Sequence, residues 1–310
     1  MKKFLFIFVT IFIFMISLAS CDSKKENTVV DDYKITVTAP SGAPAVALAT
    51  LAINNKDNYN FIAAKTIGTA FSSDGSDVVI APINAGAKLF KAGKSSYRLA
   101  AVITWGNLYF ASQIEDFDLS KINGKEVILF GENTINAAVA KYVLEKNNID
   151  CTFSYLAEAA DTQQKVISDA NAIVLTAEPA LTAAKTKKNI TGISVQTLYK
   201  NASGNSEFTQ AGIFVKADTI KNHEKALSDY LLEVKEATDK ISSNLDNVAE
   251  ACVSLELMPA LPVAKAAIPN CNIKYKDAVD VKGQIEATAK LSLTDFGGDL
   301  PSEEFYYSPF

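Results

Sequence analysis

Short apolar runs rich in β-branched residues alternate along this chain with longer stretches whose apolar positions recur every three or four residues. Tyr33-Lys34-Ile35-Thr36-Val37-Thr38-Ala39 predicts a strand, and the Ala/Leu-rich segment 45–54 predicts a helix directly after it. Asp77-Val78-Val79-Ile80-Ala81 reads as a nearly continuous apolar strand, suited to burial on both faces, and residues 85–92 follow as a helix. Residues 98–111 (RLAAVITWGNLYFA) lack helical charge spacing and predict one extended strand. The order then restarts. A strand is expected at 126–130, a helix at 135–147, a strand at 151–156, a helix at 161–170 and a buried strand at 172–175.

Alternation of this kind places helices on both faces of a largely parallel sheet, and its replay after residue 120 implies two such sheets. The strand at 98–111 would carry the chain out of the first lobe, and 210–215 would carry it back. Segments 222–243, 247–255 and 279–291 are Lys/Glu-rich with apolar positions at helical spacing. The expected organisation is α/β: two Rossmann-like lobes joined by two crossing strands, with a ligand cleft between them. Residues 33–108 and 211–310 would form lobe 1, and 109–210 lobe 2.

The amino terminus reads differently. Lys2 and Lys3 precede a run from Phe4 to Ser20 with no charged side chain, and Leu18-Ala19-Ser20-Cys21 follows. A positive start, a short apolar core and small residues before a cysteine predict a secretory signal over 1–20, with residues 21–32 as a soluble tether. The motif resembles the bacterial lipobox, which implies a lipid on Cys21 and an extracytoplasmic chain held to a membrane. Residues 1–20 hold two lysines and no acid, so without them the whole-chain net charge of −5 becomes 28 cations against 35 anions, or −7. An acidic surface of that size argues against nucleic acid or anionic lipid as a partner. Cys151, Cys252 and Cys271 remain, an odd number; a Cys252–Cys271 bridge is open, and free buried thiols are the preferred reading.

In open α/β sheets, ligands bind beyond the carboxyl ends of the strands, where the next helices present unpaired N–H groups. Four turns here have that placement. Pro40-Ser41-Gly42-Ala43-Pro44 supplies a hydroxyl, a glycine and a proline suited to a first helical turn. Pro82-Ile83-Asn84 offers Asn84 as an N-cap, Gly131-Glu132-Asn133-Thr134 repeats the device, and Glu178-Pro179 follows the strand at 172–175. Asn and Thr at helix starts also serve simply as caps. Trp105, the single tryptophan, suits a core strand and equally suits stacking on a flat ring; Tyr109, farther along the run, would share its face.

The segments 39–51 (APSGAPAVALATL), 77–90 (DVVIAPINAGAKLF), 99–112 (LAAVITWGNLYFAS), 122–134 (INGKEVILFGENT), 177–181 (AEPAL) and 297–307 (GGDLPSEEFYY), taken in this order, resemble substrate-binding lipoproteins of ABC importers. The nitrate, sulfonate, taurine and thiamine-pyrimidine branch is the most similar. The resemblance implies a type II periplasmic-binding fold that closes on a small-molecule solute and delivers it to a permease and its ATPase. It implies ligand contacts at Ser41, Gly42, Ala43, Pro82, Asn84, Trp105, Asn107, Gly131, Asn133, Thr134 and Glu178. Glu132 and Glu178 depart from an anion site. If they line the pocket, a nitrogen-bearing heterocycle gains ground over an oxoanion.

Other chemistry finds little support. Arg98 is the only arginine, and its place at the start of a strand suits surface or edge pairing better than a carboxylate clamp. His223 is the only histidine and lies in a Lys/Glu-rich segment. One histidine and scattered cysteines do not make a zinc or manganese cage, so no metal and no cofactor are expected. No nucleophile elbow, P-loop or dinucleotide fingerprint occurs, and no enzymatic activity is expected. The alternatives are an enzyme on the same two-lobe fold, with Glu132 and Glu178 as acid and base, or a sensing or adhesion lipoprotein.

Overall fold

The computed structural model describes residues 32–73 and 75–308. The signal read over 1–20, the lipidation site Cys21 and the tether to residue 31 lie outside the described residues. The strands are β1 (Val37–Pro40), β2 (Tyr59–Ile62), β3 (Val78–Pro82), β4 (Tyr97–Trp105), β5 (Leu108–Ser112), β6 (Glu126–Phe130), β7 (Thr152–Leu156), β8 (Ile173–Ala177), β9 (Thr191–Ser194), β10 (Thr209–Lys216) and β11 (Ile273–Asp277). The helices are α1 (Ala43–Ala52), α2 (Gly68–Ser73), α3 (Ile83–Lys91), α4 (Ile135–Lys146), α5 (Ala159–Ser168) and α6 (Ala180–Lys185). After them come α7 (Val195–Ser203), α8 (Ala217–Asn222), α9 (Glu224–Asp239), α10 (Leu245–Ser254), α11 (Leu261–Ala267) and α12 (Lys282–Ala289).

Two sheets form, in the orders β11-β4-β10-β3-β1-β2 and β7-β6-β8-β5-β9. Each has a parallel half, β1 with β2 and β3 in the first and β6 with β7 and β8 in the second. The expectation of largely parallel sheets is corrected here, because β10 runs antiparallel to β3 and β4, and β5 runs antiparallel to β8 and β9. An outgoing and a returning segment laid side by side must point in opposite directions, so the crossings introduce the antiparallel half.

The single long strand expected at 98–111 is also corrected. It breaks at Gly106-Asn107 into β4 of one sheet and β5 of the other. Trp105 and Tyr109 therefore do not share a strand face. β4 ends, and β10 begins, at the edge where β1–β3 end; Leu108 opens β5 opposite Ala177, where β8 ends. Gly106-Asn107 thus sits between the carboxyl edges of the two sheets.

Period-two patterning fixes the packing of the first sheet. Val78 and Ile80 of β3, with Ile213 and Val215 of β10, face one apolar cluster beside Leu48 of α1 and Leu227, Leu231 and Val234 of α9. Val79, Ala81 and Phe214 face the opposite cluster. Helix α1 is buried on more than one side, which its small residues permit. Ala47 and Leu48 meet the sheet cluster, and Val46 and Ala49 meet Cys252 and Ala264 on α10 and α11. The carboxyl-terminal aromatic segment folds back, with Phe305 buried edge-on against Phe90. Cys151, Cys252 and Cys271 carry free thiols; burial pushes that of Cys252 up to about 12 and that of Cys271 well above its usual value.

Candidate functional site

The edges that carry the four predicted turns face one another. Lys65, three residues past the end of β2, pairs with Glu158, two residues past the end of β7, at 3.6 Å. An ion pair this exposed contributes under about 1 kcal/mol, so its value is geometric: it ties the carboxyl edge of one sheet to that of the other. A second tie runs from Gln210 Nε2 on the returning strand to Asn136 Oδ1 in the first turn of α4, at 3.0 Å. The backbone joins them too, since the Glu178 N–H donates to the Asn107 carbonyl at 3.2 Å and the Asn107 N–H donates to Gln210 Oε1 at 2.9 Å.

In lobe 1, the Ser41 N–H and hydroxyl both donate to the Ile62 carbonyl, at 2.9 and 3.2 Å. Gly42 caps α1 at φ 108° and ψ −155°, a conformation that side chains resist, and Ala43 is buried at the first helical position. Pro82 occupies the cap of α3. This corrects the N-cap expected of Asn84, which is the second helical residue, 4% exposed, with its side-chain oxygen lacking any hydrogen-bond partner.

In lobe 2, Gly131 (φ 70°) accepts the Thr134 hydroxyl at its carbonyl, at 2.6 Å, and Asn133 is exposed at φ 58°. Thr134 caps α4 by backbone position, its hydroxyl having turned back to Gly131. Glu132 is exposed. Glu178, 5% exposed, precedes α6, and its carboxylate accepts the Thr182 N–H at 3.1 Å and the Thr182 hydroxyl at 2.9 Å. Burial pushes the Glu178 carboxyl above the usual carboxylate range, against the opposing pull of Thr182 and Lys185. Tyr109, paired with Thr176 across β5 and β8, is raised by burial and then by the Glu178 charge.

Asn107 joins the two groups. It is 5% exposed, its Nδ2 donates to the Cys271 carbonyl at 3.1 Å, and its Oδ1 lacks a partner. Trp105 lies next to it but faces elsewhere. The indole is 2% exposed, donates to the Lys274 carbonyl at 2.9 Å and lines a groove of about 470 Å³ with Glu207, Lys274, Lys276, Asp280 and Gln284. Of the predicted contacts, that groove holds Trp105 alone. Trp105 emission is expected to shift if lobe closure moves the Glu207–Lys274 wall (2.6 Å) beside it. A flat response through saturation with a bound solute would leave it a core residue.

Arg98 is remote from these turns, its guanidinium 4.5 Å from the Phe90 ring centroid and its Nη1 on the Ser96 carbonyl. His223 stacks on Tyr33 at 3.5 Å. Among the described residues no cluster of His, Cys, Asp and Glu could hold a metal ion, and no helix is long and apolar enough to cross a membrane. Sequence reasoning missed Lys65, Glu158, Asn136 and Gln210. A signal existed for Asn136: Ile-Asn-Ala recurs at 83–85 and 135–137, opening α3 and α4 alike.

No protein-family model matches the chain, and no curated protein matches it. Solved structures do. An ABC transporter from Parabacteroides distasonis superposes with a TM-score of 0.76 at 18% identity, over 89% of this chain and 99% of that one. The periplasmic aliphatic sulphonate binding protein of Escherichia coli gives 0.67 at 13% identity, over 89% and 92%. The alkanesulfonate-binding protein of Xanthomonas axonopodis pv. citri, bound to MOPS, gives 0.63 at 11%, over 87% and 95%. At these identities the likeness is one of fold: the chain has the two-lobed α/β fold of these proteins, with the carboxyl edges of both sheets turned toward the crossing between lobes.

Proposed function

We propose that this chain is the extracytoplasmic solute-binding component of an ABC importer, anchored by a lipid on Cys21. It captures a small organic or oxoanionic solute, of sulfonate, nitrate or taurine type or of thiamine-pyrimidine type, and delivers it to a permease and its ATPase. The lobes would be 33–108 with 211–310, and 109–210. The observation that carries this reading is the meeting of the two carboxyl edges, marked by Lys65–Glu158 and Gln210–Asn136, with helix starts on both sides of the Gly106-Asn107 crossing. Solved proteins of this fold described as sulfonate-binding and as the ligand-binding component of an ABC-type import system support it.

The mechanism follows from population shift. A solute touching both lobes makes its full set of contacts only when they are closed, so binding draws the equilibrium toward closure, and closure is what the permease reads. No group bond is made or broken, and the solute should leave unchanged. The test is a thermal-shift screen of the full chain in detergent against oxoanions, vitamin precursors and nucleobases. A binder shows stabilisation that follows RT ln(1 + [L]/Kd), with the solute recovered intact. Conversion of the solute would favour the enzyme alternative. For the best hit, Asn133→Ala with Thr134→Ala is expected to weaken calorimetric affinity about tenfold without unfolding the second lobe. Equal affinity would remove both residues from the site.

A further inference from the structure

Ile-Asn-Ala opens both α3 and α4, so Asn84 and Asn136 hold equivalent helix positions in the two lobes. Their environments differ. Asn136 Oδ1 accepts the Gln210 amide at 3.0 Å, whereas Asn84 Oδ1, equally a carbonyl oxygen, is buried without a donor. Asn107 repeats the pattern at the crossing, for its Nδ2 is spent on Cys271 and its Oδ1 is unpaired. Both side chains are more than nine-tenths buried. Buried polar oxygens are nearly always paired, so two unpaired acceptors at this edge ask for donors from something that enters. Alkanesulfonates and nitrate bring acceptors only.

The surrounding charge points the same way. Glu178 is buried one backbone hydrogen bond from Asn107, and the rim cation Lys65 is already paired with Glu158. The single arginine lies over Phe90. An incoming anion would meet the unpaired carbonyl oxygens of Asn84 and Asn107, which offer it nothing. The helix starts do offer N–H groups, so the solute must carry an acceptor as well, which a neutral amide or an amino-substituted ring provides.

We infer that Asn84 and Asn107 receive N–H donors of the solute, and that this solute is a neutral or cationic nitrogenous molecule with at least two N–H groups rather than a sulfonate or nitrate. The inference rests on the solute-binding reading above. The experiment titrates the full chain in detergent with 2,4-diaminopyrimidine, cytosine, ethanesulfonate and nitrate, by thermal shift and calorimetry. Saturable binding of an amino probe is expected, with none by either oxoanion. Asn84→Ala should then weaken that probe about tenfold, while Asn84→Asp, which keeps the acceptor, should stay within about threefold of the parent. The aspartate variant also serves if the alanine variant fails to fold. Saturable binding of ethanesulfonate or nitrate overturns the donor-bearing class and leaves the solute-binding reading standing. Failure of both amino probes at millimolar concentration, or equal loss in the two variants, also overturns the assignment.

Discussion

Asp77→Ala is expected to lower the unfolding free energy by about 4 kcal/mol, among the larger effects a single substitution has on a domain. The Asp77 carboxylate takes four donors: the Thr36 N–H at 2.9 Å and hydroxyl at 2.7 Å on Oδ2, and the Thr219 hydroxyl at 2.7 Å and Tyr33 hydroxyl at 2.9 Å on Oδ1. It binds the segment leading into β1 and the start of α8 to the base of β3. Truncation leaves the buried Thr219 hydroxyl and the half-buried Thr36 groups without their acceptor, which outweighs any relief from removing a charge. Asp77→Asn should cost less, since its oxygen can keep the Thr36 N–H while its amide N–H groups turn to the Thr219 and Tyr33 hydroxyls, which can accept.

The pH dependence has a fixed sign. Burial pushes the Asp77 carboxyl up, but the hydrogen bonds from Thr36, Thr219 and Tyr33 outweigh it and hold the group below the usual range. A depressed folded value contributes stability that is present above the unfolded value of about 3.9 and lost as pH falls through the folded one. The gap between parent and Asp77→Ala should therefore be full at neutral pH and narrow below about pH 4. Urea denaturation at both pH values measures it. A gap that is unchanged in acid would show the carboxylate charge to be irrelevant.

Gly106→Ala carries the second large expectation, a loss of about 3 kcal/mol together with weakened solute binding. A Cβ at this position would stand 2.6 Å from Phe208 Cε1 and closer still to Gln196 Oε1. Phe208 is fully buried, its ring edge-on to Tyr199 at 5.3 Å, so it has no room to yield. The backbone is equally held, with the Gly106 N–H on the Phe208 carbonyl at 3.1 Å and its carbonyl on Asn272 Nδ2 at 3.2 Å. Relief requires spreading the two crossing segments, which would shift one lobe's helix starts against the other's. Urea midpoints within experimental error of the parent would mean that the crossing is looser than its packing implies.

Much of the fold was legible because burial imposes a period. The β3 run alternates between two apolar clusters, and the helix starts after β1, β3, β6 and β8 lie where strand-then-helix order put them. The run 98–111 was misread for the same reason. It is apolar throughout, and hydrophobicity carries no mark of a change of sheet at Gly106-Asn107. β11 and α11 escaped notice because Ile-Lys-Tyr-Lys-Asp is a half-exposed edge strand and α11 is only seven residues long.

Two replayed α/β halves, the crossing segments and the places where helices begin were all legible in the chain, since each follows from local pattern and chain order. The chain pattern also placed Asn84 and Glu178 at those turns. Folding brings the rest: Gln210 satisfies Asn136 while the Asn84 side-chain oxygen stays unpaired, Trp105 faces β11, and Lys65 meets Glu158. Hydrogen-bond partners and facing directions arise from contacts between residues far apart in the chain, and nothing in the local pattern encodes which distant group arrives.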